Sequence, residues 1–183
     1  MNHLLFFISL VITSCGTPSP EQQLIDAFGT SEEYSGVEPY SILKLGTDFE
    51  NYLLNNGHLT SITQKDYFEL FLKVLKNEIE IDEQDIMQSL PNSWILFGPS
   101  VTATVLKYPN KIIDDNPGLS PEHPIRVLTE ITNKIAQGSD LGDIDLNKQL
   151  IFSIPEEFKK LHYHIATLTI IRRIIYDNSL DRR

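Results

Sequence analysis

The chain has 183 residues, of which 25 are acidic and 15 are basic, so its formal net charge is −10 at pH 7. With 41% hydrophobic and 22% charged residues it can bury a core, which argues against an intrinsically disordered protein. An acidic body is repelled by phosphate backbones, so the charge also argues against nucleic-acid binding. A basic protein remains possible as a partner.

The N-terminal segment is apolar and carries no charge. Residues 1–14 contain no Asp, Glu, Lys or Arg, and Ser9 alone interrupts the apolar stretch from Leu4 to Ile12. This length fits the apolar section of a secretory signal, about 7 to 15 residues, whereas a membrane-spanning helix needs about 20. We therefore predict a signal peptide over residues 1–14.

The only cysteine of the chain follows this apolar segment directly. Ile12, Thr13, Ser14 and Cys15 resemble the lipobox of bacterial lipoproteins, in which an aliphatic residue and two small residues precede an obligatory cysteine. The resemblance covers the N-terminus alone. It implies cleavage before Cys15, a diacylglyceryl group on its sulfur, and a lipid anchor at a membrane of the bacterial cell envelope. The alternative is that residues 1–14 form a core or amphipathic helix of a cytosolic protein and that Cys15 is incidental.

The segment after Cys15 has the composition of a tether. Residues 16–20 are small or polar and include two prolines, which favour an extended chain. We therefore divide the sequence into a signal peptide (1–14), a lipidated tether (15–20) and one folded domain (21–183). No cysteine follows Cys15, so no disulfide within the chain can stabilise that domain.

The hydrophobic pattern of the domain is helical almost throughout. Apolar residues that recur with a period of 3.6 predict an all-α fold, a single-domain bundle of about five to seven helices. The predicted helices cover residues 21–28, 39–54, 64–77, 82–90, 101–106 and 125–138, and a last one begins at Pro155 and continues beyond Ile175. Residues 101–106 are rich in β-branched side chains, so a strand is the alternative there.

Three local features refine this prediction. Thr63 with Asp66 indicates an N-terminal cap of the third helix. Residues 94–97 hold the only tryptophan and form either a core segment or an exposed contact. Residues 108–124 contain four prolines and predict a long connection, which is more often functional than a short one.

The histidines do not form a convincing metal site. His162 and His164 are two residues apart, which on a helix separates their directions by about 200°. We expect His162 at the edge of the core and His164 in solvent. Arg172 and Arg173, near the end of the last helix, fit the favourable interaction of cations with a helix C-terminus.

A carboxylate-rich segment offers a second possible metal site. Asp143, Asp145 and Asn147 have the alternate spacing of a calcium loop, but Lys148 replaces the required glycine and Ile154 the closing glutamate. Helix-capping aspartates in a polar loop are the ordinary interpretation, and an irregular calcium site stays open.

No motif for catalysis or for cofactor binding is present. Ser100 follows Gly98, but Thr102 stands where a nucleophile elbow needs glycine, and Ser100 is better interpreted as a helix cap. We therefore expect no cofactor and name no catalytic residue. The predicted function is a noncatalytic binding module on a membrane-anchored lipoprotein. The alternatives are an immunity-type protein that neutralises a basic toxin, and a lipid-anchored hydrolase with Asp or Glu as acid and base.

Overall fold

The computed structural model describes residues 17–30, 41–138 and 140–181. All regular structure in these residues is helical, which confirms the predicted all-α fold. The described residues form eight α-helices: α1 (Pro20–Gly29), α2 (Ile42–Asn55), α3 (Gln64–Leu75), α4 (Glu83–Ser89), α5 (Pro99–Asp115), α6 (Pro124–Gly138), α7 (Ile144–Phe152) and α8 (Leu161–Asp181). A 3₁₀ helix (Ser93–Phe97) precedes α5. None of the described helices combines the length and the apolar content needed to cross a membrane.

Helix α8 is the centre of the bundle. Every α-helix from α1 to α7 contacts it, and so does the 3₁₀ helix. Its residues are buried on all sides from His162 to Ile175, apart from the half-buried Arg173. A helix with this burial has no solvent face over most of its length, so polar side chains along it need partners within the core.

Side-chain caps begin five of the helices. Ser19, Ser41, Thr63, Asp82 and Asp143 each accept a hydrogen bond from a backbone N–H of the first turn that follows. Each bond satisfies a donor that has no partner inside its helix. The cap predicted at Thr63 is confirmed, because its hydroxyl accepts from the N–H of Asp66 at 3.2 Å. The predicted start of the second helix at Pro39 lies outside the described residues.

The prediction of a long connection over residues 108–124 is wrong for the first half of this segment. Helix α5 continues through Pro109 to Asp115, and only residues 116–123 form a loop. Proline inside a helix removes one backbone hydrogen bond, but the helix tolerates this where packing compensates. Here the ring of Pro109 is buried, and α6 packs along α5, joined to it by paired hydrogen bonds between Asn110 and Asn133.

Two further boundaries differ from the prediction. Helix α7 occupies residues that we expected to form a polar loop, because Asp143 caps it while Leu150 and Ile151 enter the core. The last helix begins at Leu161 rather than at Pro155, since residues 153–160 form turns. Phe158 is buried and enters the core from this turn segment.

Most of the tryptophan segment enters the core. Ile95, Leu96 and Phe97 are buried, whereas the side chain of Trp94 is 37% exposed. The ring of Phe97 stacks on Tyr176 of α8, with 4.4 Å between ring centroids. Of the two alternatives for this segment, the core position therefore holds for residues 95–97 and the exposed position for Trp94.

The two ends of the bundle can be distinguished by their contacts. At one end Glu21 of α1 meets Lys160 and His162 just before and within the first turn of α8, and Gln23 accepts a hydrogen bond from Asn116 after α5. At the other end the 3₁₀ helix lies against the last third of α8. Helices α5 and α8 therefore run in opposite directions, and α1 begins at the end where α8 begins.

Candidate functional site

A buried cluster joins α2, α3 and α8. The carboxylate of Glu50 accepts a hydrogen bond from the hydroxyl of Tyr67, and the same oxygen lies 2.9 Å from Nε2 of His164. The other ring nitrogen of His164 lies 2.5 Å from the carbonyl oxygen of Phe158. These side chains are all buried, with exposures of 8% for Glu50 and 1% for His164. The expected solvated position of His164 is therefore wrong, because α8 has no solvent face there.

The hydrogen bonds of this cluster lower the pKa of its carboxyl group. His164 holds Nδ1 against the carbonyl oxygen of Phe158 and Nε2 against the carboxyl group of Glu50. Burial raises the pKa of Glu50, but hydrogen bonds from His164 and Tyr67 and the charge of His164 outweigh it, so the net pKa is lowered from 4.5. Burial and the neighbouring Glu50 raise the pKa of Tyr67, which keeps its hydroxyl protonated.

His162 lies where the sequence placed it, at the edge of the core. Its side chain is mostly buried, and Nε2 lies 3.1 Å from a carboxylate oxygen of Glu21. Burial lowers the pKa of His162, and the nearby Glu21 opposes this shift. Lys160 shares the same carboxylate at 2.9 Å. This group ties the start of α1 to the start of α8.

A second buried charge pair lies farther along α8. Arg172, predicted as a cation at a helix end, is fully buried and donates two hydrogen bonds to the carboxylate of Glu83, at 2.7 and 2.8 Å. Its guanidinium also lies 4.6 Å from the ring centroid of Phe97 and 3.3 Å from the hydroxyl of Ser93. Arginine in such a fork-to-fork pair is rigidly held. The pair fixes α4 and the 3₁₀ helix to α8 and is closed to any ligand.

A cleft of about 610 Å³ lies between α5, α6 and α8. Its walls are mainly apolar, and the turn before α7 closes one side. The apolar lining comes from Leu75, Phe97, Ala103, Leu106, Ile135, Ala136, Leu141 and Ile174. Pockets of about 300 to 1,000 Å³ with few polar groups are typical of small-molecule sites. We refer to this site as the α5–α8 cleft.

Four ionisable side chains line the α5–α8 cleft: Lys107, Asp140, Arg173 and Asp177. Nε of Arg173 donates to Asp177 at 2.9 Å, while its two terminal nitrogens make no hydrogen bond to the described residues. Lys107 is exposed and has no ion pair among those residues. Asp140 accepts a hydrogen bond from the backbone of Gly142 at 2.8 Å. The cleft therefore offers unused N–H donors beside an apolar wall.

The possible calcium segment is occupied by structural hydrogen bonds. Asp143 caps α7 through the N–H of Leu146, and the amide of the buried Asn147 donates to the carbonyl oxygens of Leu141 and Asp143. Within the described residues no group of three or more His, Cys, Asp or Glu side chains is placed to hold a metal ion. The capping interpretation agrees with this geometry.

The remaining sequence positions add no site. Cys15 and residues 1–14 lie outside the described residues, so the lipobox prediction stays a prediction. Gly98 is the N-cap of α5, and Ser100 lies in its first turn rather than at the cap. No family model, curated protein or solved structure matches this chain.

Proposed function

We propose that the protein is a lipid-anchored lipoprotein of the bacterial cell envelope and that it binds a ligand, without catalysing a reaction, through the α5–α8 cleft. The position of Cys15 supports the lipid anchor. The one cysteine of the chain directly follows an apolar segment that ends in an aliphatic residue and two small ones. Two acyl chains anchor a protein stably, because each buried methylene contributes about 0.8 kcal/mol.

The geometry of the domain supports an orientation on the membrane. Four residues lie between Cys15 and Pro20, and the five steps along the chain from one to the other span at most about 18 Å. The end of the bundle where α1 begins would therefore lie next to the bilayer. Arg173 is eleven residues beyond His162 on α8, or about 16 Å along the helix axis. The cleft would then open on the side of the domain away from the membrane, accessible from the aqueous phase.

Binding is a better interpretation of the cleft than hydrolysis. A hydrolase that uses carboxylates needs one as acid and another as base or nucleophile. In the cleft, Asp177 is held by Arg173 and Asp140 by the backbone of Gly142, so each has a structural partner. The histidine and the tyrosine that could assist proton transfer are buried with Glu50 in the core.

The anchor is tested by growing the native host with a traceable fatty acid. We expect label on the wild-type protein, recovery in the membrane fraction, and a mature mass that starts at Cys15. The variant Cys15→Ser should lose the label. A matched control, Cys15→Ser with Thr17→Cys, keeps one cysteine but moves it out of the box and should also stay unlabelled. A wild-type protein that retains Met1 and carries no lipid would refute the anchor.

The binding role is tested separately by filling the cleft. Ala103 is exposed on α5 and lines the cleft, so Ala103→Trp should occupy the space without disturbing the core. We expect molecules that co-purify with the wild-type protein from its host to be lost from this variant. Equal recovery of the same molecules with both proteins would show that the cleft is not the site.

A further inference from the structure

We propose that the ligand of the α5–α8 cleft is a molecule with a hydrocarbon body and a single carboxylate group. This inference rests on the proposed binding role of the cleft and specifies the chemistry of its ligand. The apolar wall, the cations and the carboxylates of the cleft each favour this kind of ligand.

The apolar wall suits a hydrocarbon body. Ala103, Ala136 and Leu141 line the cleft from α5, α6 and the turn before α7, and their side chains are exposed or half-buried. Leu75 of α3 adds further half-buried apolar surface. Covering this surface is favourable by about 25 cal/mol for each Å² of apolar area removed from water.

The unused donors suit a carboxylate. Asp177 holds Nε of Arg173, which orients the guanidinium and leaves both terminal nitrogens free of partners among the described residues. A carboxylate can accept two parallel hydrogen bonds from a guanidinium, and this is the geometry that arginine favours. Lys107, on α5, lines the same cleft and supplies a second cation without an ion pair in the described residues.

The two aspartates limit the charge of the ligand to one. Lys107 and Arg173 balance Asp140 and Asp177, so the ionisable side chains that line the cleft sum to zero. A doubly charged phosphate would meet the aspartates and the net charge of −10 of the whole chain. A single carboxylate needs only the donors that are free. A cationic head group would have to compete with Lys107 and Arg173 for the two aspartates.

Three probes with the same ten-carbon chain separate these possibilities: decanoate, decanol and decylammonium. Titration calorimetry uses the full chain carrying Cys15→Ser, so that no attached lipid and no detergent occupies the cleft. We expect decanoate to bind roughly tenfold more tightly than decanol, as charge-assisted hydrogen bonds add to apolar contact, and decylammonium to bind most weakly. Equal affinities for the three probes, or no binding of decanoate, would overturn the proposal.

Single substitutions locate the binding. Lys107→Gln should weaken decanoate binding severalfold and leave decanol binding unchanged, because it removes the charge and keeps a polar side chain that is only one atom shorter. Lys148→Gln is the matched control, since Lys148 is exposed on α7 and does not line the cleft. Ala103→Trp should abolish binding of both probes. Decanoate binding that survives Ala103→Trp would place the site elsewhere.

The outcomes also separate this inference from the proposed function. If decanoate fails to bind while Ala103→Trp still removes the molecules that co-purify with the native protein, the cleft binds a ligand of another chemical class. Binding of decanoate in the cleft by a protein that carries no lipid in its host would support the ligand class and refute the anchor.

Discussion

At the scale of single residues, the described part of the core holds two acidic side chains, each paired with a basic side chain of α8. Glu83 with Arg172, and Glu50 with His164, join α8 to α4 and to α2. A buried charge without its partner is costly, and a complete pair is close to neutral against apolar residues of similar volume. These pairs specify which helices meet α8 rather than supplying much net stability.

Glu83→Ala should lower the free energy of unfolding by about 3 to 5 kcal/mol, because it leaves the guanidinium of Arg172 buried without a counter-charge. Urea denaturation measures the loss. The exposed pair of Lys44 and Asp48 is the matched control, and Asp48→Ala should cost less than about 1 kcal/mol. The double variant Glu83→Leu with Arg172→Met should recover most of the loss. Equal effects of Glu83→Ala and Asp48→Ala would contradict the importance of burial.

The pair of Glu50 and His164 predicts a pH dependence. The folded-state pKa of Glu50 is lowered from 4.5, so its ionisation stabilises the fold above about pH 4.5 and this contribution is lost as pH falls through the folded-state value. Unfolding free energies measured by urea at several pH values should therefore fall more steeply with acid in the wild type than in Glu50→Gln.

Tyr67→Phe provides a graded comparison for the same cluster. It removes one of the hydrogen bonds that lower the pKa of Glu50, and the ring stays in place. We expect a stability loss of about 1 kcal/mol at neutral pH and an acid dependence between those of the wild type and Glu50→Gln. Identical acid dependence in the three proteins would show that Glu50 does not titrate differently in the folded and unfolded chains.

At the scale of helices, a glycine of α2 lies directly against α8. A Cβ atom on Gly46 would overlap Cδ1 of Ile165 on α8, and Ile165 is itself 1% exposed. The methyl group at the end of Ile165 would have to move within a packed core. Gly46 therefore lets α2 lie directly against α8, which is the contact that also brings Glu50 to His164.

Gly46→Ala should destabilise the protein by about 1 to 3 kcal/mol, although alanine favours helices, because overpacking outweighs the propensity gain. Ile165→Val removes Cδ1 and should restore part of the loss when combined with Gly46→Ala. Gly118→Ala is the control, since a Cβ there meets nothing within 4 Å. Thermal or urea denaturation measures the stability of each variant. A Gly46→Ala protein as stable as the wild type would show that α2 and α8 can separate without cost.

The sequence pattern predicts some of these helices and misses others. Strong apolar periodicity located α2, α3, α6 and α8, and the cap at Thr63 was readable from its residue type. The sequence predicts a helix break at Pro109, because proline usually interrupts a helix and the packing of α6 on α5 cannot be seen in the local sequence. Helix α7 was missed because its first residues have the composition of a loop.

The buried charges were harder to predict, although one signal was available. Glu50 lies four residues after Gly46 and three before Leu53, on the face of α2 that enters the core, so periodicity alone marks it as a buried acid. Its partners on α3 and α8 follow only from the tertiary fold. The cleft has no sequence signal at all, because its lining is drawn from helices far apart in the chain.

At the scale of the whole molecule, stability should be distributed unevenly around α8. Its residues from Ile165 to Ile171 are all buried, whereas α1 buries only Leu24 and Phe28. Amide hydrogen exchange should be slowest in this part of α8, where opening requires global unfolding, and faster in α1 and α7. Exchange in α8 as fast as in α1 would contradict the central position of the helix.

The central position of α8 also affects the order in which the chain can mature. A ribosome makes all the other described helices before it makes residues 161–181, and each of those helices contacts α8. The growing polypeptide therefore lacks the central element of its interior until that late stretch has emerged.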